Sequence, residues 1–149
     1  GFNVQFGALV TLDRVELLDN RDGGLVAFDA ATIVGARNLV VRGTLAQECA
    51  ADTCAPLAAG MGVVAVAGAQ LDLRRFAVTD SALCVVQLVR GATVDLHEGE
   101  VARNPIGANV QTAGFDPQRL GDQVVFRDNG RNLDTSTLPV PEPVVPAGP

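Results

Sequence analysis

The stretch Asn3-Val4-Gln5-Phe6-Gly7-Ala8-Leu9-Val10-Thr11-Leu12, NVQFGALVTL, decides the fold because the chain writes it again. Val85 to Leu96 reads VVQLVRGATVDL, and Asn109 to Phe115 reads NVQTAGF. Each version holds an alternating apolar run and a small-residue corner, and the two longer ones continue into a second alternating run. Alternation at period two is the mark of a strand with one buried face. Aligned on this phrase, Val4, Val26, Val64, Val86 and Val110 open five successive units. Their separations are 22, 38, 22 and 24 residues, a short period with one long insertion. Fixed spacing of this kind is the signature of a solenoid.

The second run of each unit is read at Val10/Leu12, Ile33, Leu71/Leu73 and Val94/Leu96. The third is read at Val15/Leu17, Leu39/Val41, Phe76/Val78, Val101 alone and Val124/Phe126. A coil of three short strands cannot bury its apolar side by itself. A second coil stacked about 4.8 Å away pairs the backbone and joins the inward side chains into columns. Helical repeats would need stripes at period 3.6, which are absent. Asn20, Thr44, Ser81, Asn104 and Asn129 fall at one offset after the last inward residue of their coils. Small polar side chains at a corner bond local backbone, and a stacked column of them would also bond along the axis.

Two segments leave the pattern. The insertion, residues 45–61, reads LAQECAADTCAPLAAGM. Its Cys49 and Cys54 are read as a disulfide closing the loop, which would lower its unfolded entropy and imply an oxidising compartment. The alternative is three free thiols. Cys84 is expected to be a small buried hydrophobe, with pairing to a cysteine of the insertion as the lesser alternative. The domain expectation is therefore a solenoid over 1–132 with a proline-rich tail over 133–149. The tail is expected not to form a ladder strand, since proline lacks the donor. It either lies along the last coil, with Leu138 and Val140 packing, or is a free linker.

Composition narrows the function classes. The 149 residues are 48% hydrophobic but only 4% aromatic, with no Trp or Tyr, so Val, Leu and Ala fill the interior. A net charge of −6 with 11 scattered Lys and Arg argues against nucleic acid and against a polybasic membrane patch. No apolar run reaches the roughly 18 residues of a membrane span. Gly1 opens inside a repeat phrase, so the N-terminus is expected to be a processed or trimmed end.

With the phrases GAQLDLRRFAVTD and GATVDLHEGEVARN and the Asn/Ser corners, the chain resembles the right-handed parallel β-helix superfamily of pectate-lyase-like proteins. Within it the chain is most similar to large secreted or surface repeat proteins of myxobacterial type, whose roles are unknown. The resemblance covers Asn3 to about Asn129. It implies an all-β right-handed solenoid of about five coils and a secreted or cell-surface location. It also implies a bacterial structural protein or one that acts on carbohydrate. Fold alone does not choose between these.

Parity supplies one candidate site. If Leu71 and Leu73 point inward, Asp72 and Arg74 point outward, and likewise Asp95 and His97. Asp72 and Asp95 should then stack one coil apart, with Arg74 and His97 stacked beside them and Asp13 in line. Stacked carboxylates repel, which would raise one pKa or recruit a cation such as Ca²⁺. Asp72 and Asp95 are accordingly the candidate metal ligands. The four residues are the candidate catalytic set of a polysaccharide lyase or glycoside hydrolase, whose hydrolases need two carboxylates about 5–9.5 Å apart. The alternative is a solvated charged face. No phosphate loop or serine triad is present. The expected function is a non-enzymatic structural or interaction module. Its partners would be the remainder of its own precursor or another β-solenoid stacking on an end. A carbohydrate-binding or carbohydrate-cleaving role is the second expectation.

Overall fold

The computed structural model describes residues 1–46 and 59–140. In chain order the strands are β1 (Phe2–Val4), β2 (Leu9–Leu18), β3 (Gly23–Phe28), β4 (Ile33–Arg42), β5 (Met61–Val66) and β6 (Gln70–Thr79). They continue with β7 (Cys84–Val89), β8 (Thr93–Ala102), β9 (Ile106–Gln111), β10 (Asp122–Arg127) and β11 (Arg131–Asp134). All pairings are parallel. Odd strands form sheet A, in the order β1-β3-β5-β7-β9-β11, and even strands form sheet B, in the order β10-β8-β6-β4-β2. The chain is a parallel β-solenoid of about five turns.

The second and third expected runs are one strand. Each ten-residue strand of sheet B bends at a single residue: Arg14, Asn38, Arg75 and Glu98 have φ between 52° and 55°. Gln123 takes the same place in β10, at φ 55°. The ladder skips these residues and resumes in register, as Asp13↔Arg37 followed by Val15↔Leu39 shows. A second left-handed column, Asp19, Gly43, Asp80, Arg103 and Asp128, turns the chain toward sheet A. Most of these residues carry a Cβ, and the left-handed region costs each about 1–2 kcal/mol. Backbone bonds that continue around the corner offset the cost, such as Asp19 N–H to Arg42 O (2.9 Å) and Asp80 N–H to Ala102 O (3.3 Å).

Inside, the columns Val10–Val34–Leu71–Val94, Leu12–Ala36–Leu73–Leu96 and Leu17–Val41–Val78–Val101 run along the axis. Ile33 was expected inward, but it points to solvent and Val34 and Ala36 take the interior. The missing member beside Val101 is Gly99, which stacks on Phe76. The Phe76 ring fills its place, and a Cβ on Gly99 would lie 2.3 Å from Phe76 Cε1.

Sheet A corrects the opening alignment. Val26 does lie over Val64, but Val4 pairs with Ala27, Val86 with Val63, and Val110 with Leu88. Parity slips because two successive residues face inward near the start of these strands. Val85 and Val86 both belong to the interior cluster, and a Cβ on Gly62, next to inward Val63, would meet Val78. A one-residue slip moves a side chain to the opposite face. Val64 thus belongs to a second cluster outside sheet A with Val26, Phe28, Met61, Val66, Cys84 and Val89. β3, β5 and β7 are consequently buried on both faces.

The polar column is real but uneven. Asn104 Oδ1 accepts from Ser81 N (2.8 Å), and Asn129 Oδ1 accepts from Asn104 N and Nδ2 (3.1 and 2.9 Å). Ser81 Oγ and Thr44 Oγ1 are buried with no hydrogen-bond partner among the described residues. The ladder resumes at Met61, and β11 carries it through Asp134, two residues into the expected tail. Cys84 is a buried free thiol, pushed up to about 12 first by burial and then by Asp134. Cys49 and Cys54 lie outside the described residues.

Candidate functional site

The outer face of sheet B carries the ionic array. Its first outward column is Thr11–Gly35–Asp72–Asp95, and the next is Asp13–Arg37–Arg74–His97–Asp122. The expected neighbours therefore meet: Asp72 stacks on Asp95 and Arg74 on His97, with coils about 4.8 Å apart. Asp13 stands in the Arg74 column, two coils away, and accepts a hydrogen bond from Asn38 Nδ2 (2.8 Å).

Both aspartates have an arginine beside them. Arg74 lies beside Asp72, with Nε 3.1 Å from Oδ1 and Nη2 donating to Oδ2 at 3.2 Å. Arg119 donates from Nε and Nη2 to the two oxygens of Asp95, both at 2.7 Å. That pair of bonds outweighs desolvation and holds Asp95 below the usual carboxylate range, not above it as stacking alone implied. Charge-assisted bidentate pairs of this geometry are among the stronger polar contacts. His97 Nδ1 lies 2.7 Å from Asp122 Oδ2, and its Nε2 is 3.8 Å from Asp72 Oδ1. The imidazole thus bridges two coils.

Four members of this face escaped the sequence reading. Arg119 comes from a short 3-10 helix, Pro117–Leu120, that replaces the first half of a sheet B strand in the last coil. Asp116 caps it by accepting from Gln118 N (2.9 Å), and Pro117 occupies its first turn. The helix sends Leu120 into the interior and Arg119 outward onto Asp95. The Asp-Pro pair was the available signal, since both residues favour a helix start. Asp122 and Arg37 follow from continuing the Arg74 column in both directions.

Gly35 is the fourth. It has no side chain in the Asp72 column, and a Cβ there would touch nothing within 4 Å. The gap is the floor of an open groove of about 340 Å³, lined by Thr11, Asp13, Arg37, Asp72 and Arg74. Beside it Arg37, Arg74, Arg75 and Glu98 line a second recess of about 170 Å³. Arg37 has no ion-pair partner among the described residues. On the adjoining corner Arg103 donates to both oxygens of Asp80 (2.9 and 2.7 Å), which lowers the pKa of that carboxyl.

Among the described residues no three His, Cys, Asp or Glu side chains gather as ligands for a metal ion, and no helix is long and apolar enough to cross a membrane. No family model, curated protein or solved structure matches this chain.

Proposed function

We propose that this solenoid is a non-enzymatic structural or interaction module of a secreted or cell-surface protein. It presents the ionic face of sheet B and its two open ends to partners. The observation that carries this reading is the engagement of the carboxylates. A sugar-cleaving pair needs one carboxyl that keeps its proton near neutrality beside one that is ionised. Asp95 is shifted the other way by Arg119, and Asp72 lies in an ion pair with Arg74. We take the winding to be right-handed, as about 98% of parallel strand crossovers are. Closure of the insertion by Cys49 and Cys54 belongs to the same reading, and an intact mass without reductant tests it.

The partner favoured is another solenoid end. Among the described residues, β1 and β2 at one end, and β10 and β11 at the other, each have one unpaired edge. Leu9 and Val125 stand on those edges 77% and 56% exposed. Unpaired edges template strand addition. Light scattering across a concentration series should show a mass that rises with concentration, and Leu9→Lys with Val125→Lys should suppress it. A constant monomer mass would remove self-stacking from the proposal.

A second reading, carbohydrate binding, rests on the groove over Gly35 with its unpaired Arg37. Hydroxyls would meet Asp72 and Thr11, and an acidic group would meet Arg37. A glycan array with and without Ca²⁺, repeated on Asp72→Ala and Asp95→Ala, decides it. Absence of any signal on the parent protein ends that reading and leaves the interaction module standing.

A further inference from the structure

The outer face of sheet A changes character along the axis. Val26 and Val64 share one column, Phe28 and Val66 the next, and all four are buried. One coil further the first column becomes Gln87, then Asn109, while Gln111 follows Val89 in the second. Gln87 and Asn109 are fully buried. An amide buried on a valine face is costly unless its hydrogen bonds are met.

One segment meets them. Asn109 Nδ2 donates to Ser136 O (2.9 Å), Gln111 Nε2 to Leu138 O (3.4 Å) and Gln87 Nε2 to Pro139 O (2.9 Å). The segment therefore steps from the β9 coil back to the β7 coil. Leu138 and Val140 pack on the apolar cluster outside the sheet. No backbone-to-backbone hydrogen bond among the described residues holds 136–140. Recognition is by side-chain amides reading carbonyls, a mode that suits an extended strand in which proline removes donors. The resident does not satisfy the site completely, because Gln87 Oε1 is buried without a donor among the described residues.

We propose that the Gln87–Asn109–Gln111 amides form a docking groove for an extended, proline-interrupted segment, and that residues 136–140 are its exchangeable occupant. The partner it fits is the same segment of a second copy of this chain. Three amide contacts and two half-buried side chains hold the occupant without ladder bonds, so it leaves while the solenoid stays wound.

The probe is a fluorescent peptide of residues 133–149, added to the full chain. Leu138→Asp weakens the resident and leaves the groove intact, so peptide affinity should rise at least tenfold over the parent. Gln87→Leu in that background should remove the gain. A folded Leu138→Asp protein that binds no better than the parent overturns the proposal. A second measurement needs no variant. In the parent protein the side-chain amide NMR signals of Gln87, Asn109 and Gln111 should move with denaturant well before the global transition. If they move only with global unfolding, the segment is an integral part of the fold and the proposal fails.

Discussion

Asn104 sits where three coils meet, so its truncation tests the stacking argument directly. Asn104→Ala removes the acceptor of the Ser81 N–H at 2.8 Å and the Nδ2 donations to Asn129 Oδ1 at 2.9 Å and Ala102 O at 2.6 Å. The residue is 3% exposed, so water does not easily replace those partners. Each lost bond is worth about 1 kcal/mol net, and a stranded buried N–H costs about 1–3 kcal/mol. Asn129 Oδ1 keeps its bond from the Asn104 N–H, which limits the loss on that side. The expected destabilisation is about 3 kcal/mol, or roughly 6–12 °C in Tm for a chain of this size. The neighbouring coil provides the control. Ser81 Oγ is equally buried but unpartnered, so Ser81→Ala should be neutral within about 0.5 kcal/mol or slightly stabilising. Urea unfolding followed by circular dichroism reads both, with the slope unchanged. Equal losses at the two positions, or a loss below about 1 kcal/mol at Asn104, would refute the idea that the corner amides tie coil to coil.

Two further outcomes follow from the interior and from the ionic face. Gly99→Ala places a methyl into the Phe76 ring and should cost about 1–3 kcal/mol. Phe76→Leu in the same chain should recover part of that loss, and thermal melts of the single and double variants check the coupling. Asp95 and Asp80 have folded pKa values below their unfolded value of 3.8, so their stabilisation is present above that pH and is lost as pH falls through the folded values. Stability should therefore decline below about pH 4. Asp95→Asn should flatten that limb in acid titrations of the melting temperature, whereas a parallel profile would show the Arg119 pair to be idle. Asp22 opposes the trend, since burial raises its pKa and protonation favours the folded form.

The winding was legible because the interior repeats. Val10, Leu12, Leu71, Leu73, Val94 and Leu96 alternate cleanly, and they fixed the outward parity of Asp72, Arg74, Asp95 and His97 correctly. Sheet A was misread at Val26 and Val64, which face the outer cluster, whereas Val4, Val86 and Val110 face the interior as expected, and the reason is physical. The strands that carry Val26 and Val64, β3 and β5, are apolar on both faces, so alternation carries no contrast there, and two consecutive inward residues shift the count in β7. Ile33 misled for the opposite reason, being apolar but outward and 41% exposed. Gly99 is invisible to any hydrophobic pattern, since its role is to leave room for a ring one coil away. Arg119 is separated from Asp95 by 24 residues and reaches it only because a helix replaces a strand segment. Sequence periodicity reports the columns that repeat and is silent about the single substitution that breaks one.

The two sheets divide the work of the molecule. The inner strands of sheet A, β3, β5 and β7, are packed on both faces, so most substitutions there change burial and should be felt in stability. The ion pairs on the outward face of sheet B are a third or more exposed, apart from His97, and such pairs contribute about 0–1 kcal/mol each. The side chains of that face can be exchanged with little effect on winding. The left-handed columns extend that freedom, because the bends at Arg14, Asn38, Arg75, Glu98 and Gln123 accept five positions occupied by four residue types. A surface so weakly coupled to the core gives no structural reason for Arg37 to lack an ionic partner among the described residues beside an open Gly35. Recognition on this face and docking on the amide columns of sheet A are therefore separable. Charge substitutions in the groove should leave occupancy by residues 136–140 unchanged, because the two sets of contacts share no side chain.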